Sequence, residues 1–287
     1  MNTLKRSRAA SFIAVALVYV SAAALGILLY QKLPFAWWVN LLLADVAATV
    51  LTFAFSVILG NASVYDPYWS VQPPVILTAL AFGAPLSLPR VLLLAAVWLW
   101  ALRLTANWAY TFGDLTHEDW RYVMLRETTG RFYPIINFVG IHMVPTLIVW
   151  GCTLPAAYAF LHDADWGIGF LLCLCLCPLA VLLQGVADVQ MHRYRRARTT
   201  PFIRVGVWKH SRHPNYLAEI LMWWGVGLSV LCLFPDAPYL LLGALANTLL
   251  FLFVSIPMAD RRQARKEGFA DYKRETRMLL PLPKFEK

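Results

Sequence analysis

The chain has 287 residues, 60% of them hydrophobic and only 14% charged, with a formal net charge of +9. One soluble core of this length cannot hide that much apolar surface, so the bilayer is the expected solvent, and a soluble nucleic-acid-binding domain is excluded. The five cysteines form neither a disulfide framework nor a metal-ligand pattern, and no metal is expected.

Apolar runs follow one another at 11–30, 36–59, 71–88, 91–109, 134–160, 167–187, 216–234 and 237–258, most of them near the ~20 residues a helical span needs. The fold class is therefore all-α: a polytopic membrane bundle of about 7–8 transmembrane helices, forming a single membrane domain over 1–287. The first run lacks a small-residue cleavage site after a short apolar core, so it reads as an uncleaved helix. The third run is short and carries Pro73, Pro74 and Pro85, which predicts a half-inserted or kinked segment. If the N-terminus with Lys5, Arg6 and Arg8 is cytoplasmic and every run crosses, the loops 60–70, 110–133 and 188–215 and the basic tail 260–287 lie inside. Those segments hold 22 of the 25 Lys and Arg, the positive-inside pattern. The expected location is an inner-type (bacterial inner) membrane with both termini cytoplasmic.

Ionisable groups inside apolar runs are expensive and so are functional candidates: Asp45, Arg103, His142, Asp188 and Glu219. Asp45 and His142 stand alone and read as buried helix-to-helix hydrogen-bonding groups. Arg103 cannot deprotonate and needs an anionic partner or a wet cavity. Near the end of the sixth run, Gln184, Asp188, His192 and Arg195 share one helical face, a polar stripe that either lines a pocket or snorkels at the interface. Further on, Pro214 suits the first turn of a helix that goes into the membrane, with Asn215 and Glu219 one turn apart. Lys209 and Arg212 before it, together with helix-start N–H groups, would suit nucleotide phosphates, while Glu or Asn can hold a ribose hydroxyl or a carboxamide.

Residues 211–219, Ser-Arg-His-Pro-Asn-Tyr-Leu-Ala-Glu, lie between Gly206, Val207 and Trp208 on one side and Trp224 and Gly225 on the other. Together they resemble the C-terminal signature of the steroid 5-alpha-reductase family. The chain is more closely similar to that family's bacterial branch, DUF1295, over 40–285, with further matching stretches at 65–70, 102–104, 117–122, 187–188, 271–273 and 280–281. The resemblance implies NADPH as cofactor, held at the cytoplasmic ends of the later helices, and reduction of a carbon–carbon double bond conjugated to a carbonyl. It implies that Asn215 and Glu219 hold the nicotinamide end, that Asp188, Arg195 and Arg204 contact the cofactor from the loop 188–215, and that Arg103 lies near the phosphates and the substrate mouth. Gln184 stands where the family has Asn, and Arg212, His213 and Tyr216 complete the cofactor-binding signature. The family's ketone-binding Glu and Tyr correspond here to Asp66 and Trp100. Trp100 offers one N–H and no acidic hydroxyl, so polarisation of the carbonyl shifts toward Asp66, with Tyr65 or Tyr68 able to supply a phenol. Arg261 and Arg265 replace a His and a Tyr near the final loop.

The expected activity is thus an NADPH-dependent oxidoreductase acting on a CH–CH group. Its substrate would be a lipid-soluble enone, steroid-like or another isoprenoid or polyprenyl compound, sliding in from the bilayer. The expected partners are membrane lipids and that substrate, with no nucleic acid and a monomeric chain. Two rivals remain. Residues 212–216 also match the Arg-His-Pro-x-Tyr motif of S-adenosylmethionine-dependent isoprenylcysteine carboxyl methyltransferases, although Asp260, Arg261 and Arg262 stand where those enzymes carry a Glu-Glu pair. The second rival is a non-catalytic lipid-binding or transport protein on the same scaffold.

Overall fold

The computed structural model describes residues 5–197 and 199–281; residues 1–4 and the end of the basic tail, 282–287, lie outside the described residues. All regular structure among the described residues is helical, apart from an isolated bridge between Ser211 and Arg277. Among the described residues, seven helices are long and apolar enough to cross a membrane: Arg8–Lys32, Trp37–Ile58, Leu88–Thr111, Trp120–Leu161, Ile168–Ala197, Pro214–Leu233 and Pro238–Gln263. Large apolar side chains such as Ile13, Leu17, Val20 and Phe253 face outward on them. Water would not tolerate so continuous an apolar exterior, and the chain is an integral membrane protein. Two compact units divide it, Met1–His162 and Asp163–Lys287.

In the first unit, helix α1 (Arg8–Lys32) starts at Ser7, whose hydroxyl accepts the Ala10 N–H, and buries only a narrow stripe of Ser11, Val15, Val18 and Ala22. It pairs with α2 (Trp37–Ile58), where Gly26 lies against Ala44 and Ala48 and lets the two backbones approach closely. After a single 3-10 turn over Ala62–Tyr65, α3 (Tyr68–Ala81) is too short to be one of the seven spans. Its internal Pro73 and Pro74 remove backbone donors, in line with the weak third apolar run. Helix α4 (Leu88–Thr111) has Pro89 in its first turn. Helix α5 (Trp120–Thr129), capped by Asp119, leads through a π-helical stretch at Ile136–Met143 into α6 (Val144–Leu161).

In the second unit, α7 (Ile168–Leu174) runs almost directly into α8 (Leu176–Ala197). The helix therefore carries on past residue 188, where a loop was expected, because residues 188–197 contain neither Gly nor Pro to stop it. The short α9 (Val207–His210) follows Gly206, and α10 (Pro214–Leu233) begins at the predicted Pro214. Helix α10 is the most buried of the spans. Its Gly225 lies so near Cys177 of α8 that an added Cβ would sit 2.8 Å from the thiol sulfur. Helices α11 (Leu242–Leu250) and α12 (Ile256–Gln263) are joined by a π-helical turn, and α13 (Phe269–Glu275) closes the unit.

Candidate functional site

The first unit assembles the predicted substrate-side residues around the segment between α2 and α3. Asn61 fixes that segment, donating from Nδ2 to the carbonyls of Leu115 and His117, both at 2.9 Å, and accepting the Ser63 N–H at 2.8 Å. Glu118 accepts the Ala62 N–H, and the Ser63 hydroxyl accepts the Asp119 N–H. The turn that carries Tyr65 and Asp66 is thereby tied to the start of α5. From α5, the Tyr122 hydroxyl donates to Oδ1 of Asp66 at 2.6 Å. Burial pushes the Asp66 carboxyl up to about 6, against the opposing pull of the Arg121 guanidinium. That carboxyl keeps its proton in mildly acidic solution, up to about pH 6.

Tyr65 and Tyr68 are stacked at 5.4 Å and point their hydroxyls to different partners. The Tyr65 hydroxyl shares a hydrogen bond with Thr146 at 2.7 Å, and Thr146 meets Thr49 at 3.0 Å. The Tyr68 hydroxyl donates to Asp45 at 3.1 Å, and the Gln72 amide donates to the other Asp45 oxygen. Trp100 is wholly buried, its ring 6.1 Å from that of Trp69. Arg103 is half-buried on α4 and engaged by its surroundings. His142 lies in the π-helical stretch, its Nδ1 2.9 Å from the Asn137 carbonyl and its ring 4.6 Å from that of Tyr65. A cavity of about 440 Å³ opens in this unit, lined mostly by apolar side chains of α1, α2 and α3, with Tyr19, Asp45, Tyr68 and Gln72 as its main polar groups. Asp45, expected only to bridge helices, does bridge α2 and α3 and also faces this space.

The second unit brings together most of the predicted cofactor residues. Gln184 of α8 donates from Nε2 to Oε2 of Glu219 at 2.6 Å, and Trp223, one turn further along α10, donates to Oε1 at 3.0 Å. Gln184 is 2% exposed, and its Oε1 is buried with no hydrogen-bond partner among the described residues. The stripe then rises to the surface as the spacing predicts, with Asp188 and His192 half-buried and Arg195 exposed. Asn215 is half-buried in the first turn of α10, and Tyr216 stacks on His213 at 5.2 Å.

Arg212 and His213 serve a structural cluster that sequence reasoning missed. Oδ2 of Asp260 accepts from Arg212 at 3.1 Å, and Oδ1 lies 2.9 Å from Nε2 of His213. Arg212 also donates to the Thr276 carbonyl at 2.6 Å. Asp260 thus ties the start of α10 to α12 and the segment after α13; an acidic residue next to two arginines at the end of the last apolar run was the available signal. Arg204 meets Glu275 at 2.8 Å in an exposed pair, worth little in stability and easily exchanged for another anion. Gly206 has φ +61, and a Cβ there would lie 2.2 Å from Oε1 of Gln190, which accepts the Val207 N–H. Only glycine serves at this turn.

The model of the family described as "Protein of unknown function (DUF1295)" matches residues 52–276. A protein described as uncharacterized from Schizosaccharomyces pombe is 29% identical over 223 residues, covering 68% of this chain and 64% of its own length. The matched region thus spans somewhat less than two thirds of that relative. No solved structure matches.

Proposed function

Because the chain belongs to the DUF1295 family, the steroid 5-alpha-reductase-like group, we propose that it is an NADPH-dependent reductase of a conjugated carbon–carbon double bond in a lipid-soluble enone. The observation that carries this reading is the buried Oε1 of Gln184, an acceptor with no partner among the described residues, beside the doubly bonded carboxylate of Glu219. A buried acceptor in that state is destabilising by about 1–3 kcal/mol, and a carboxamide N–H of a bound ligand would satisfy it. The donor set fits a dinucleotide: Gln184, Asn215 and Glu219 would hold its amide end, with Asp188 beside them, and the exposed Arg195 and Arg204 would meet its phosphates. When bound, NADPH supplies a hydride to the substrate's β-carbon.

The first unit, taken by itself, carries groups suited to the substrate side of such a reaction. A charge develops on the carbonyl oxygen as the double bond is reduced, and a proton held nearby stabilises it. Asp66 is suited to this. Tyr122 occupies its Oδ1, so the proton resides on Oδ2, and burial keeps it there up to about pH 6. The phenol of Tyr65, hydrogen-bonded to Thr146, and the indole of Trp100 are wholly buried. The apolar cavity suits a substrate drawn from lipid.

We also propose that both termini face the cytoplasm. Seven crossings alone would separate the termini, whereas counting the short α3 as an eighth keeps 22 of the 25 Lys and Arg on one side.

Titration of the detergent-solubilised chain with NADPH, NADH and S-adenosylmethionine tests the reading. Thermal stabilisation by NADPH, lost in Glu219→Ala, is the expected result. Stabilisation by S-adenosylmethionine alone would favour a methyltransferase, and no response to any of them would leave a lipid-binding protein.

A further inference from the structure

The cavity of the first unit has a chemical sidedness that names its occupant. Its two ends follow from the helices that line it. Tyr19 and Tyr68 lie at one end, their rings 5.7 Å apart. Gln31 and Phe82, both exposed, lie at the other. At 1.5 Å per residue along α1 and α3, the space is about 20 Å long, the length of an extended lipid chain or a fused-ring skeleton. Apart from Gln31 at the outer end and Tyr30 and Thr78 along it, the walls are apolar. The inner end is closed by Asp45, Tyr68 and Gln72.

That inner end presents acceptors. Asp45 takes the Tyr68 hydroxyl proton on one oxygen and a Gln72 amide proton on the other. Tyr68, having donated its only proton, can now only accept. Gln72 is 6% exposed. Its Oε1 is buried with no partner among the described residues, although the residue lines the cavity. A ketone, ester or ether could take at most the second Nε2 proton of Gln72 and would leave the buried Oε1 without a donor. An ammonium group would need to shed its water at the depth of the bilayer, which is expensive. A hydroxyl donates one proton and loses little on transfer. We propose that this cavity takes a lipophilic alcohol, hydroxyl end inward, donating to Oε1 of Gln72 within the Asp45–Tyr68–Gln72 triad.

This deepens the reductase reading by adding a hydroxyl to the substrate. It rests on that reading only in equating the occupant with the substrate, and the binding can be measured with neither dinucleotide nor turnover. The experiment uses the purified full chain in phosphatidylcholine nanodiscs. The probes are a long-chain alcohol carrying a diazirine, its methyl ether and the matched primary amine, with photolabelled peptides mapped by mass spectrometry. The alcohol is expected to label peptides of α1 to α3 about tenfold more than the ether. Gln72→Leu is expected to bring alcohol labelling down to the ether's level, and Ala79→Phe, which fills the space, to suppress both. Equal labelling of wild-type protein by alcohol and ether would overturn the proposal and leave the cavity to bulk acyl chains, and preference for the amine would overturn it too. The ether comparison uses wild-type protein, so it decides the matter even if Gln72→Leu fails to fold. Loss of the alcohol preference with intact NADPH stabilisation would sink this inference alone; the reverse would sink the reductase reading alone.

Discussion

The two units treat buried polarity differently. Along its cavity the first unit uses phenols, an amide and a carboxyl, with Tyr68 and Gln72 hydrogen-bonded to Asp45, and at the turn before α3 a further bond joins Tyr122 to Asp66. The second unit uses charge: Asp260 between Arg212 and His213, Glu219 beneath Gln184 and Trp223, and a stripe ending in arginine. A wall of weakly polar groups around apolar space suits a ligand drawn from lipid. Charges that rise toward an aqueous loop suit a ligand drawn from water. The proposed reductase activity calls for both kinds of surface.

That contrast can be broken most forcefully at Asp260. Asp260→Ala leaves Arg212 buried without its carboxylate and should destabilise the protein by about 3–5 kcal/mol, read as a fall in thermal midpoint or loss of monodisperse protein. Asp260→Asn should lose less. Glu219→Ala should weaken NADPH binding by about tenfold to a hundredfold, equivalent to about 1.4–2.8 kcal/mol, measured by fluorescence titration, and leave alcohol labelling of the first unit unchanged. An unaltered dissociation constant would remove the charge-based half of the comparison. Gly206→Ala forces a side chain into a left-handed turn against Gln190 and should cost about 1–3 kcal/mol, with proteolysis of the segment before α9 as the check. Tyr122→Phe is the mildest, about 1 kcal/mol for one hydrogen bond.

Acidity sharpens the same contrast. Burial raises the Asp66 carboxyl to about 6, so the folded chain holds that proton more tightly than the unfolded one. The stabilisation is full below about pH 4, declines as pH rises to about 6, and is absent above. Reduction should fall about tenfold per pH unit above about 6 if Asp66 gives up its proton in the reaction. Asp66→Asn should flatten both profiles, and a pH–rate profile unchanged in that variant would move the acid elsewhere.

Much of this architecture was legible in the sequence because it depends on local pattern. Apolar run lengths gave the spans, Pro214 gave the start of α10, and helical spacing placed Gln184, Asp188 and Arg195 on one descending face. The weakness of the third run, with its adjacent prolines, became the short α3. What stayed hidden depends on chain segments distant in sequence. Asp45 was read as a helix bridge, and only the packing of α1, α2 and α3 reveals the cavity it faces. Asp260 looked like a departure from another family's Glu-Glu pair, and its grip on Arg212 needs the chain to fold back over 48 positions. Arg212 and His213 were placed at the cofactor by their motif, whereas the structure engages both in holding α10. Motif matching finds which residues belong together without saying which of them touch a ligand.

The Asp260 cluster also sets an order of assembly. Helix α10 leaves the ribosome and enters the membrane before its own anchor has been made, since Asp260 and the Thr276 carbonyl are synthesised later. Until then Arg212 has only lipid headgroups or water as company, and the seat beneath Glu219 stands on an unfastened helix. Maturation of that seat therefore waits on the last stretch of translation, and fusions or truncations near the C-terminus should damage the proposed nucleotide site before they disturb insertion of the first unit.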